Sequence, residues 1–474
     1  MERDLYAAFS PLDHRYYLAN QKLFDSLAEY LSENGLIKAQ LRVEAAVTKG
    51  LAKREICPAA VADEVEKACR AVSPSEVYEE EATTRHNIRA LVNCIQRRVS
   101  PEARPFVHFS VTSMDIVDSA NALRFMEATN KVLLPLCLEF LETLISLARR
   151  EKATLQMGRT HGQHAVPVTF GFAVAEYVSR FGQRVEKIKA AANNLRGKIA
   201  GAVGAYNALA LFLPDPEVFA EEVLAELGLK PSPSATQIVE PEYFTDYFHA
   251  LISTFGVLAN LADDFRNLQR TELAEIGEEF APGQVGSSTM PHKRNPWNFE
   301  HVKSMWKAIV PRMFTVYLDQ VSEHQRDLTN SASSRFNPEI VVALAAAVAR
   351  LNRVLKRLVV HEEQMRKNFM LTQESVIAEP LYILLAFHGH PDAHEAVRKM
   401  TLRAEAKGIS LRQLLNQKEE VAELTAYLDK FSPAQWAVLN HPDQYLGIAV
   451  RKTELLCAEG ERILRSMRGS TPAE

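Results

Sequence analysis

Apolar residues recur at three- and four-residue steps through two long windows that contain no proline. Between Pro167 and Pro214, the residues Phe172, Val174, Val178, Phe181, Val185 and Ile188 share one helical face. Between Pro338 and Pro380, Ile340, Leu344, Val348, Leu351 and Leu355 repeat the pattern, and Asn337, Pro338 and Glu339 supply a helix start. The same periodicity predicts helices over 113–150, over about 242–275, and from Asn298 towards His324, with kinks at Pro135 and Pro311. These helices would run about 25–35 residues, against a globular mean of about 11–12. Stripes of that length are most simply buried against one another in a bundle. Small residues such as Ala345 to Ala347 allow close approach within or between subunits. Shorter patterns broken by Pro58, Pro74, Pro101 and Pro105 precede the bundle. Others, with turns at HGHPDAH and NHPDQ, follow it. The expectation is an all-α chain in three regions: an N-terminal helical domain (1–111), a central long-helix bundle (112–360) and a C-terminal helical domain (361–474).

Composition narrows the function. A chain of 474 residues can bury a large core without staples. Lys and Arg total 55 against 59 Asp and Glu, with no long block of one sign, so neither nucleic acid nor a membrane surface is an expected partner. The five scattered cysteines (Cys57, Cys69, Cys94, Cys137, Cys457) argue against a disulfide framework and fit a reducing cytoplasm. Strand–helix alternation and a G-x-G-x-x-G motif are both missing, which disfavours a dinucleotide fold.

The chemistry concentrates in the loop 283–296, GQVGSSTMPHKRNP, where glycines and prolines bracket two hydroxyls, two cations and an amide. Anion recognition or proton transfer would use all of them. GSSTMPHKRNP resembles the signature loop of the fumarase/aspartase superfamily. Two other segments match in the expected order: Thr112-Ser113 with Asp115, and GRTHGQHAVPVTFG from Gly158 to Gly171. Within that superfamily the chain most resembles the adenylosuccinate lyase family, from SPLDHRYY to YLGIAVRK. Supporting segments are Arg15-Tyr16, Thr84-Arg85-His86, Thr236-Gln237 and QRDLTNS followed by Arg335. Arg326, Ser331 and Arg335 offer two guanidinium forks and a hydroxyl, as a phosphate monoester would need.

The resemblance implies a fold like that of the superfamily and a homotetramer with a multi-helix core, in which segments from three subunits complete each site. It implies elimination of fumarate from adenylosuccinate, giving AMP, and from succinyl-aminoimidazole-carboxamide ribotide. No cofactor or metal is expected, because the substrate carboxylate is the electron sink. By the same resemblance Ser287 is the base and His161 the acid, a role suited to imidazole. Lys293 and Asn295 hold carboxylates and the aci-carboxylate intermediate. Glu300 orients the acid, and Ser288 lies beside the base. Arg15, Tyr16, Arg85, His86, Asn87, Thr112, Ser113 and Gln237 match substrate contacts. Three positions depart from the family pattern: His14 for Gly, Asn87 for Asp and His301 for Asn. Another superfamily lyase, a carboxymuconate cycloisomerase and a non-catalytic bundle are the competing readings. His388, His390 and His394 lie in a Gly/Pro turn without a nearby cysteine, a poor metal set.

Overall fold

The computed structural model describes residues 5–469 apart from 281, 282, 284, 324, 327 and 328. The chain divides into two compact units. One comprises Met1–Glu139, Gln183–Ala259 and Val302–Arg350; the other comprises Phe140–Gly182, Asn260–His301 and Leu351–Glu474.

In the first unit, α1 (Gln21–Leu31) and α2 (Glu33–Lys53) precede α3 (Ala59–Ala71), α4 (Pro74–Thr84) and α5 (Asn87–Gln96). At 21 residues α2 is longer than the proline-broken reading of this region suggests, since no proline falls between Pro11 and Pro58. The helix predicted over 113–150 is continuous, but it is built from α6 (Ser113–Ala128), a π-helical turn (Thr129–Leu133) and α7 (Leu134–Arg150). Pro135 does not break it. The widened turn, closed by Leu134 N–H on the Thr129 carbonyl, absorbs the change of register just ahead of that proline. Thr129 Oγ1 donates to the Phe125 carbonyl (2.8 Å) and meets Tyr247 Oη (2.6 Å) beside a cluster of Phe125, Tyr247 and Phe248 rings.

The stripes read from the sequence are the buried faces, except that Phe172, in the first turn of its helix, is only half-buried. In α8 (Phe170–Ala192), Val174, Val178, Phe181, Val185 and Ile188 are fully buried. In α12 (Pro338–Leu355) all five stripe residues are at most 1% exposed. The other two predictions overshoot. Helix α9 (Glu242–Leu268) stops short of Glu275, whose buried side chain is needed elsewhere. The helix expected towards His324, a residue outside those described, ends at Ile309 as α10 (Trp297–Ile309). It restarts at α11 (Arg312–Leu318), because Pro311 lacks the N–H to carry the ladder through. The long helices α7, α8, α9, α10 and α12 each contribute residues to both units.

In the second unit a β-hairpin, β1 (Leu155–Thr160) with β2 (Gln163–Thr169), interrupts the otherwise helical pattern between α7 and α8. Short pairs also form, including Ile276-Gly277 with Val359-Val360. Further along, Ile377, Leu381, Met400, Leu414 and Leu424 centre a core of their own. The three turn histidines serve packing there: His388 stacks on Phe431, His390 lies against Tyr427 and His394 against Tyr382. All five cysteines are buried and free.

Candidate active site

The loop motif is clamped where it leaves and re-enters the helical body. Glu278 is buried, and its carboxylate accepts from the N–H groups of Asn298 (3.0 Å) and Phe299 (3.3 Å) and from Asn298 Nδ2 (2.6 Å). It thereby caps α10, satisfying N–H groups that a helix start otherwise leaves unpaired. Inside the loop the chain folds back on itself. A Cβ on Gly286 would sit 2.2 Å from the Lys293 carbonyl, so only glycine fits. Asn295 Nδ2 donates to the Gly286 carbonyl (3.1 Å), and Lys293 N–H donates to Met290 (3.0 Å). Ser287 Oγ accepts from the backbone N–H of Met290 (3.1 Å) and, more weakly, of Thr289 (3.4 Å). Two donors aimed at one hydroxyl oxygen favour its charged form, which a serine base requires. Ser288 and Lys293 are exposed. Gln284, within the motif, lies outside the described residues.

His161 stands at the tip of the hairpin. Thr160 pairs with Gln163, leaving His161 (φ 54°) and Gly162 (φ 74°) as a two-residue loop with both φ positive, the type I′ pattern. The imidazole therefore projects from an exposed turn on a rigid ribbon. A bulge at Gly158 bends that ribbon; a Cβ there would meet the Val166 carbonyl at 2.5 Å. The base of the hairpin is fixed by Glu275, fully buried, which accepts from Gln156 Nε2 (2.9 Å), Arg159 Nη2 (2.6 Å) and Asn368 Nδ2 (2.9 Å). His164 Nδ1 bonds Thr372 Oγ1 (2.7 Å), and burial, reinforced by Arg159, lowers its pKa against the opposing Glu275 charge. Gln163, His164, Thr372, Ser375 and Glu379 line a cleft of about 720 Å³ along β2. Glu300 is exposed on α10, and among the described residues no hydrogen bond or ion pair joins it to His161.

Other predicted contacts gather in the first unit. Thr112 opens α6, its N–H donating to Asp115 Oδ2 (2.8 Å). Asp115 is fully buried and also accepts from Lys198 Nζ (2.6 Å), Ala200 N–H (2.9 Å) and Gly201 N–H (3.2 Å). Its part is scaffolding: it fixes the chain at 198–201 against the helix start that presents Thr112 and Ser113. Gln237 N–H donates to the Gln325 carbonyl (3.2 Å), next to Arg326, whose φ is 76°. Gln237 and Arg326 thus share one neighbourhood. Among the described residues, Thr236 Oγ1 and Gln237 Oε1 are buried without a hydrogen-bond partner, as atoms awaiting a ligand would be.

Ser331 and Arg335 are exposed on the arm that follows Arg326. Asp319 steadies that arm, accepting from Ser333 Oγ (2.8 Å) with its carboxylate and from Asn330 Nδ2 (2.7 Å) with its carbonyl. Asp327 and Leu328 lie outside the described residues. Arg85 (φ 54°) closes α4, and His86 caps α5, its Nδ1 accepting from Arg89 N–H (3.2 Å), while among the described residues no bond occupies Nε2. Asn87 spends its Oδ1 on Ile88 N–H (2.8 Å). Arg15 and Tyr16 end a π-helical turn, Leu12–Tyr16, with the departing residue His14 edge-on to Tyr6.

Glu275 and Glu278 are not marked out by the sequence, where ELAEIGEE looks like a solvated acidic stretch. Nor is His108, which bonds buried Glu44 through Nδ1 (2.7 Å) just ahead of Thr112. Burial pulls the pKa of His108 down, but the Glu44 carboxylate outweighs it and the net shift is upward. Their only signal is position, beside the matched motifs.

A lyase family model matches residues 14–310, and an adenylosuccinate lyase C-terminal model matches residues 322–437. Curated relatives include the adenylosuccinate lyase of Pyrococcus abyssi, 34% identical over 87% of this chain and 91% of that one. That of Methanothermobacter thermautotrophicus is 32% identical over 96% of this chain and 100% of the other. Among solved structures, 3-carboxy-cis,cis-muconate lactonizing enzyme from Pseudomonas putida superposes with a TM-score of 0.79 at 26% identity, covering 93% of this chain and 97% of its own. Fumarate lyase from Mesorhizobium sp. BNC1 gives 0.79 at 23% identity, covering 92% and 97%, a likeness of fold.

Proposed function

This chain belongs to the adenylosuccinate lyase family, and from that premise we propose which of its side chains carry the reaction. It is a carbon–nitrogen lyase of purine biosynthesis that releases fumarate from adenylosuccinate, leaving AMP, and from succinyl-aminoimidazole-carboxamide ribotide. Both substrates present a succinyl-substituted nitrogen and a ribose phosphate, so one site serves both.

Ser287 Oγ takes the proton from the carbon next to the distal carboxylate. The electron pair moves onto that carboxylate, giving an aci-carboxylate held by Lys293 and Asn295. When the pair returns, the carbon–nitrogen bond breaks and His161 gives its proton to the departing nitrogen. Glu300 orients His161. Among the described residues of one chain no bond joins the two, and the reading pairs them between subunits of a homotetramer. Arg326, Ser331 and Arg335 hold the phosphate; Arg15, Tyr16, Arg85, His86, Asn87, Thr112, Ser113, Gln237 and Ser288 line the rest. No cofactor is called upon, and the setting proposed is the cytoplasm.

The observation that carries this assignment is Ser287 Oγ receiving two backbone N–H groups inside a loop that retains Lys293 and Asn295. The test is fumarate release with adenylosuccinate and argininosuccinate side by side. Release from adenylosuccinate alone supports the reading. Release from argininosuccinate alone would mean that the two guanidinium groups serve no phosphate, and would overturn it.

A further inference from the structure

We propose that Asp118 is a positioning residue for the nucleotide end of the substrate, tying the turn that presents Gln237 to the helix that presents Thr112 and Ser113. The proposal rests on the functional reading above and extends it to a side chain that touches no substrate.

Asp118 lies on α6, one helical turn beyond Asp115, and its Oδ2 accepts from the N–H of Val239 (2.8 Å). Val239 is two residues from Gln237, whose own N–H is held by the Gln325 carbonyl (3.2 Å) next to Arg326. The segment 236–239 is therefore strung between two supports: α6 on one side and the phosphate arm on the other. Between them, Thr236 Oγ1 and Gln237 Oε1 are buried and have no hydrogen-bond partner among the described residues. An unpaired buried acceptor is costly, so a segment that carries two must be held in place by other bonds. Thr112 and Ser113 sit five to six residues before Asp118, about 8–9 Å along the helix axis at about 1.5 Å per residue. One carboxyl group thus sets the spacing between two sets of proposed contacts.

The charged groups facing Asp118 are Lys198, from the segment packed on α6, and Asp115 on its own helix. Enclosure by the protein outweighs both the Val239 N–H and the Lys198 charge, and pushes the carboxyl up to about 7. The support is therefore strongest above neutrality, where the carboxylate is charged, and weakens as pH falls and the group takes up a proton.

The experiment compares Asp118→Ala and Asp118→Asn with wild type, measuring kcat and KM for adenylosuccinate across pH, and AMP affinity by calorimetry. Loss of one charge-assisted hydrogen bond predicts a KM about tenfold higher in Asp118→Ala, with kcat moved far less. Wild-type KM should rise as pH falls through about 7. Asp118→Asn should hold one intermediate KM throughout, since its amide oxygen still accepts but does not titrate. A purely structural role would not abolish that step. Unchanged KM and AMP affinity in Asp118→Ala, or a pH step that persists in Asp118→Asn, would overturn the proposal. If wild type releases no fumarate from adenylosuccinate, the functional reading fails by itself. AMP affinity then decides for Asp118: about tenfold weaker in Asp118→Ala supports the role, and unchanged affinity overturns it.

Discussion

The hairpin that carries His161 and the loop that carries Ser287 are held in opposite ways. The hairpin is a paired ribbon whose base is locked by one buried carboxylate with three side-chain donors, Gln156, Arg159 and Asn368. The loop is clamped at its exit by Glu278, while Ser288, Lys293 and Arg294 are exposed and its internal bonds are short-range. Glu275 and Glu278 are three residues apart, so one short stretch anchors both. A general acid has to arrive at one orientation relative to a breaking bond, which a rigid arm provides. A base that works as an alkoxide needs charge gathered round it and water excluded, which a closing loop provides. Substitutions in the hairpin and in the loop should therefore fail in different observables.

The largest effects test the two proposed proton carriers. Ser287→Ala and His161→Asn should each lower kcat by about 10²–10⁴-fold with melting temperature unchanged. Asparagine tolerates the left-handed backbone of position 161, so the turn survives the loss of the acid. If either variant unfolds instead, the assignment of a chemical rather than structural role is wrong. Next comes Glu275→Gln, which leaves Arg159 without its charged partner. It should cost about 3–5 kcal/mol in denaturant unfolding, because breaking a buried ion pair strands a charge. Glu278→Gln keeps an acceptor for the α10 N–H groups and should cost less.

The smallest effect is the sharpest contrast. Gly158→Ala forces a methyl onto the Val166 carbonyl within the ribbon, and should cost about 1–3 kcal/mol of stability. Gly286→Ala forces one onto the Lys293 carbonyl within the loop. It should leave unfolding nearly unchanged but lower kcat/KM, because Ser287 and Lys293 lose their relative placement. Equal stability losses in the two would erase the distinction between arm and loop.

The helical stripes were legible because burial obeys the same 3.6-residue period that the sequence displays: Val174, Val178, Phe181, Val185 and Ile188 all lie inside. The hairpin was not. Pro167 sits within β2, and the turn depends on a histidine adopting positive φ, which local preference does not advertise. Helix ends were misjudged where tertiary demand overrides pattern: α9 gives way before Glu275 because that carboxylate is required against Arg159. The loop was legible as a motif, but the bonds to Ser287 Oγ depend on a fold-back at Gly286 that no periodicity encodes. Asp115 belongs to a matched segment, but only the structure shows it buried against Lys198.

In the proposed function, arm and loop from different chains complete one catalytic centre. Subunit complementation is the decisive measurement: Ser287→Ala and His161→Asn, each inactive alone, are unfolded together, refolded as a mixture and assayed for fumarate release from adenylosuccinate. Recovered activity in the mixture, absent when either variant is refolded alone, is the predicted result. A mixture that assembles into hybrid oligomers but stays as inactive as its parents would contradict the claim.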